Sequence, residues 1–166
     1  MKQSTVIWLV VIFLVLLIIF RKPVKTTVDM AKKALSRGYR NNNPGNIVLT
    51  PGSMWRGEIV GTDKRFKTFS SMEFGYRAIF ITLNSYINKG YNTITAIINR
   101  YAPPHENETK SYAGTVSRMT GIPETTPVSF LNPDNIIKIV RAISFVENGI
   151  EPDMEQIKKG YELFKT

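Results

Sequence analysis

The sequence predicts a mainly helical α+β domain behind one N-terminal transmembrane helix. Three observations carry this. An unbroken apolar run fills residues 6–20. A stretch dense in Asn, Pro and Gly, Arg40 to Gly52, has short strand candidates around it. From Ser70 onward, apolar residues recur at helical spacing between recognisable caps.

The apolar run, with Gln3, Ser4 and Thr5 before it, gives 18 residues between Lys2 and Arg21. At helical rise this reaches roughly 27 Å, close to a hydrocarbon core of ~30 Å. Phe20-Arg21-Lys22-Pro23 follows the run and lacks a small-x-small cleavage pattern, so an uncleaved anchor is expected rather than a signal peptide. The expected organisation is an anchor over 1–22, a basic linker and short helix over 23–36, and one domain over 37–166.

Within the domain, Ile47-Val48-Leu49 and Phe66-Lys67-Thr68-Phe69 are strand candidates. Ser70 and Glu73 form an S-x-x-E capping box for a helix whose apolar face is Tyr76, Ile79, Phe80, Leu83, Tyr86 and Ile87. Thr93 is the expected cap of a helix that Pro103-Pro104 terminates. A third helix is expected from about Thr109 to Thr120, with Tyr112, Val116 and Met119 inward. Asn132-Pro133-Asp134 reads as a cap with Pro at the first helical position, and that helix should end near Gly149. A last helix from Asp153 carries Met154, Ile157, Tyr161 and Phe164 on one face.

Composition narrows the chemistry. With no Cys and a single His, His105, neither a thiolate nucleophile, a disulfide nor a multi-histidine zinc site can be built. No metal site and no cofactor is expected. The net charge is +9, of which residues 1–25 contribute +4 through Lys2, Arg21, Lys22 and Lys25. Basic residues are otherwise scattered, singly or in short pairs such as Lys32-Lys33 and Lys158-Lys159, so no specific nucleic-acid partner is expected.

The octapeptide Arg40-Asn41-Asn42-Asn43-Pro44-Gly45-Asn46-Ile47 resembles the RNNNPGNI signature of phage and prophage virion proteins labelled lysozyme-like or structural. Trp55-Arg56-Gly57-Glu58, Gly75-Tyr76-Arg77-Ala78, Arg100-Tyr101-Ala102-Pro103-Pro104-His105-Glu106-Asn107, Val146-Glu147-Asn148-Gly149 and Gly160-Tyr161-Glu162-Leu163-Phe164 follow in the order of that resemblance, which covers roughly residues 37–164. It implies a lysozyme-like scaffold and cleavage of peptidoglycan glycan, by a lytic transglycosylase or muramidase route.

Glycosidic cleavage needs a carboxyl group that protonates the bridging oxygen. In lysozyme-like enzymes that acid is often a Glu at a helix end ahead of an Asn-rich loop. Here the helix before Arg40 holds only Asp29, whereas Ala142-Ile143-Ser144-Phe145-Val146-Glu147-Asn148-Gly149 looks like the end of a transglycosylase catalytic helix. The resemblance therefore implies a circularly permuted arrangement. Glu147 would pack against the Asn loop, kept protonated by apolar neighbours such as Ile143 and Val146. A Glu at the negative end of a helix dipole wants a reason. Glu58 and Glu106 are the rival carboxylates. Asn41, Asn42, Asn43 and Asn46 are candidate sugar-binding amides, although Asn side chains also stabilise turns. Trp55 and Tyr101 are candidate stacking aromatics.

The expected function is a membrane-anchored virion peptidoglycan hydrolase acting during phage entry or release. It would sit as a single-pass protein in the virion membrane or host cell membrane. Its expected partners are peptidoglycan, a lipid membrane and other virion proteins. The alternative is a non-enzymatic minor virion membrane protein that retains a glycan-binding fold.

Overall fold

The computed structural model describes residues 27, 28, 30–34, 36–102 and 108–166. The expected anchor over 1–22 and the candidate Glu106 lie outside them. Among the described residues, no helix is long and apolar enough to cross a membrane. The chain divides into two compact units, Met1–Leu35 and Ser36–Thr166. In the first, residues 27, 28 and 30–34 are helical and exposed.

The second unit begins with one helical turn, α1 (Arg37–Arg40), and a two-stranded antiparallel sheet, β1 (Glu58–Ile59) and β2 (Thr68–Phe69), follows. Five helices complete it: α2 (Met72–Asn88), α3 (Ile94–Tyr101), α4 (Glu108–Thr120), α5 (Pro133–Asn148) and α6 (Met154–Lys165). In the sheet Glu58 pairs with Phe69 and Ile59 with Thr68. The expected strand over Ile47–Leu49 is reduced to one bridge, Val48 to Phe66. The reason is local: Asn46 turns the backbone into the left-handed region (φ 48°) just before it. Ile47 and Leu49 still pair across, through Lys67 N–H to Ile47 O and Leu49 N–H to Arg65 O.

Helix α2 is the axis of the core. Its Tyr76, Ile79, Phe80 and Leu83 are fully buried against Ile97 and Ile98 of α3, Val116 of α4, Ile139 and Ile143 of α5 and Ile157 of α6. Each such side chain contributes about 1.5–3 kcal/mol of transfer free energy. The expected capping box does not form. Ser70 N–H is committed to Gly57 O, which continues the β1–β2 ladder, so the helix starts later, with Ser71 as N-cap and no side-chain cap bond. The expected Pro103-Pro104 terminator lies outside the described residues, while the cap signals at Thr93, Asn132, Gly149 and Asp153 are realised. Thr93 Oγ1 accepts from Ala96 N–H, and Asp153 Oδ1 accepts from Glu155 N–H. Asn132 caps α5 ahead of Pro133, and Gly149 (φ 64°) closes it in the left-handed conformation that glycine adopts without strain. Met154 is exposed rather than inward, because α6 turns Ile157, Tyr161 and Phe164 toward the core.

The Asn-rich loop is held by its own side chains. Asn43 is fully buried; its amide nitrogen donates to Ile47 O (3.0 Å) and Lys67 O (2.8 Å), and its oxygen accepts from Ile47 N–H (2.9 Å). Asn42 donates to Phe69 O and Asn41 to Asp63. Gly75 of α2 lets this loop in: a Cβ there would collide with the Asn42 carbonyl oxygen and with Pro44.

Asn43→Ala takes the side-chain partner from Ile47 N–H and Lys67 O, while Ile47 O keeps its bond from Lys67 N–H, and should lower stability by roughly 2–4 kcal/mol. Chemical denaturation of the full chain in detergent checks this. A loss below about 0.5 kcal/mol would mean that the loop is held in some other way.

Candidate active site

The sequence places Glu147 one residue before the end of α5, and the fold brings that end against the Asn loop. Two bonds make the junction. Asn148 Nδ2 donates to Pro44 O (2.8 Å), while its Oδ1 accepts from the Ser36 hydroxyl (2.6 Å). Next to it, Asn46 Nδ2 donates to Glu147 Oε2 (2.9 Å) across 101 residues of sequence. From α4, the Tyr112 hydroxyl donates to Glu147 Oε1 (3.0 Å). Tyr101, at the end of α3, completes the surround by donating its hydroxyl to Gly45 O (2.6 Å).

The Glu147 carboxyl thus sits half-buried between polar donors, not in the apolar pocket expected from Ile143 and Val146. Ile143 points into the core, and its buried face leaves the carboxyl to Asn46 and Tyr112. Burial first, and the charge of Glu147 second, push the phenols of Tyr112 and Tyr101 well above the usual tyrosine range. Both therefore stay neutral hydroxyls beside the carboxyl.

An open groove of about 400 Å³ runs beside this cluster, lined among others by Asn46, Thr50, Trp55, Thr82, Tyr86 and Tyr101. Asn46 and Tyr101 belong to both the groove wall and the Glu147 cluster. Asn46 Oδ1 is buried there with no hydrogen-bond partner among the described residues. Trp55 is half-buried, with its indole N–H on Ser53 Oγ (3.1 Å).

Glu58, the rival carboxylate, is committed elsewhere. Both its oxygens accept from the Lys67 ammonium (2.8 and 3.0 Å), and Oε2 also accepts from Trp55 N–H. Lys67 is fully buried and donates in addition to Ser53 O, so all three of its protons are used. Lys67 reaches Glu58 because it lies two residues from Phe69, the register partner of Glu58, and so shares its face of the sheet. Asn41, Asn42 and Asn43 likewise spend their amides on the fold, whereas Asn46 reaches the cluster.

Two residues that matter here read differently in the sequence. Tyr112 reads as an ordinary inward residue of an apolar stripe. Asp63 reads as a turn residue, yet it holds the loop: it pairs bidentately with Arg37, accepts from Asn41 and caps Arg65 and Phe66 N–H. The Arg37 bond, above all, holds its carboxyl well below the usual carboxylate range.

The fold and cluster define a helical domain with one hydrogen-bonded glutamate presented at a helix end beside an open groove. No protein-family model matches the chain. The chain is 38% identical over 132 residues to Protein P5 of Pseudoalteromonas phage PM2, covering 76% of this chain and 81% of that protein. It belongs to the family of that phage protein.

Lys67→Met leaves Glu58 charged and unpaired in the interior and should cost about 3–5 kcal/mol, while Lys67→Met combined with Glu58→Leu should recover most of that loss. Thermal unfolding of the two variants tests this. A double variant as unstable as the single one would show that the pair contributes more than mutual neutralisation.

Proposed function

We propose that this protein is a phage virion component whose domain cleaves peptidoglycan glycan, with Glu147 as the general acid. Its kinship with a phage protein supports the virion part. The observation that carries the chemical part is the cluster in which Asn46 and Tyr112 fix the two oxygens of Glu147 beside the groove. The lysozyme-like likeness, with its catalytic helix late in the chain, is part of this reading, as is a membrane anchor formed by residues 6–20.

In this mechanism Glu147 gives its proton to the glycosidic oxygen as the bond to the sugar C1 breaks. The resulting carboxylate then takes the proton of a substrate hydroxyl that attacks C1, so no water is consumed and one group serves as acid and then base. Single-carboxylate chemistry suits the described part of the site, where Glu58 is neutralised by Lys67. Asn46 orients Glu147, and neutral Tyr112 can donate to its carboxylate form or accept from its acid form. Trp55, Tyr86 and Tyr101 give the groove aromatic walls for sugar rings.

A second reading is a non-enzymatic virion protein. One observation favours it: both Glu147 oxygens already accept bonds from the chain itself, which also ties α5 to the loop. Glu147→Gln separates the two, since it keeps the shape and removes the transferable proton. Lysis of peptidoglycan in a renaturing gel by the full-length variant should fall ~10²–10⁴-fold with little change in thermal midpoint. Undiminished lysis would overturn the assignment of Glu147. Wild-type protein inactive on several peptidoglycan types would favour the non-enzymatic reading.

A further inference from the structure

The surface around β1 is apolar where a monomeric domain would normally be polar. Val48, Leu49, Met54, Ile59 and Val60 are all exposed, Met54 by 76% and Val60 by 96%. They are not scattered: Leu49, Met54, Ile59 and Val60 join Phe66 and Lys64 around one shallow depression of about 320 Å³. Val48 adjoins it through its bridge to Phe66. Clustered exposure of this kind marks a surface that something covers.

The charge around the depression selects the occupant. Its two carboxylates, Glu58 and Asp63, are neutralised by Lys67 and Arg37. The exposed Lys64 and Arg65 make no ion pair with any described residue, and the Arg65 guanidinium lies over the Phe66 ring at 5.1 Å. An apolar centre with unpaired cations at its rim matches a bilayer carrying anionic headgroups: the side chains enter the acyl boundary and the cations meet the phosphates. Residues 21–35 separate the apolar run of 6–20 from Ser36. Fully extended they span at most about 50 Å, so an inserted run would keep this face close to the bilayer and let a weak contact suffice. That last clause rests on the anchor reading; the composition of the face does not.

We propose that the face formed by Val48, Leu49, Met54, Ile59 and Val60, with Lys64 and Arg65 at its rim, docks on an anionic lipid surface. The absence of Cys allows a clean test. Single variants Met54→Cys, Val60→Cys, Leu131→Cys and Leu14→Cys of the full chain are labelled with an environment-sensitive fluorophore. They are then reconstituted in vesicles of equal parts phosphatidylcholine and phosphatidylglycerol, with and without brominated acyl chains. Leu131 is as exposed as Val60 but belongs to neither depression, and serves as the surface control.

The expected result is a blue shift and strong quenching at 54 and 60 but not at 131. Adding Lys64→Glu with Arg65→Glu, or using phosphatidylcholine alone, should return 54 and 60 toward the level of 131. Absence of quenching at 54 and 60 overturns the proposal, and if the label at 14 is quenched in that case the face is left to a protein partner. Equal quenching with and without phosphatidylglycerol overturns its anionic part. An unquenched label at 14 beside quenched labels at 54 and 60 supports the face and removes the anchor.

Discussion

The domain depends on the buried amide of Asn43. A loop of eight residues crowded with Asn, Pro and Gly has little apolar surface with which to fix itself. Asn43 replaces that missing packing with three hydrogen bonds to backbone, two within the loop and one to Lys67 O on the strand side. Once those are made, Asn46 is carried into the left-handed conformation that aims its amide at Glu147. Tyr101 then clamps Gly45, and Asn148 clamps Pro44, so the loop is fastened to α3 and α5. The glutamate and its orienting amide are thereby set by backbone geometry rather than by a flexible side chain.

Charges at the two edges of the loop serve the same end by different means. Lys67 and Glu58 are both taken out of water, which is costly, and the cost is met by filling every Lys67 proton position. Asp63 and Arg37 pair nearer the surface, where the carboxylate also accepts three further bonds from Asn41, Arg65 and Phe66. The result is a β region whose acids are spent internally. Glu147 is held by Asn46 of the groove wall, and Lys64 and Arg65, beside an apolar face, make no ion pair with any described residue.

Much of the helical layer is legible in the sequence because caps are local: Thr93, Asn132-Pro133, Gly149 and Asp153 act within one turn of themselves. The start of α2 is not, because Ser70 answers to Gly57 across the β1–β2 ladder rather than to Glu73. The strands are less legible still. Glu58-Ile59 carries no alternation, and its pairing with Thr68-Phe69 is fixed by a buried lysine that composition assigns to the surface. The juxtaposition of Glu147 with the Asn loop is legible only through the family resemblance, since nothing local joins residues 101 apart. Tyr112 does not stand out as a site residue, because one apolar stripe can serve both the core and a hydroxyl at its edge.

The central claim is that one carboxyl group, without a second, breaks the glycan strand. Its most direct test is the mass of the products released from purified peptidoglycan by the wild-type protein. Transfer to a substrate hydroxyl, with Glu147 alone as acid and base, predicts muramyl ends one water lighter than hydrolysis products. Fully hydrated reducing ends would contradict the account and require a second group that activates water.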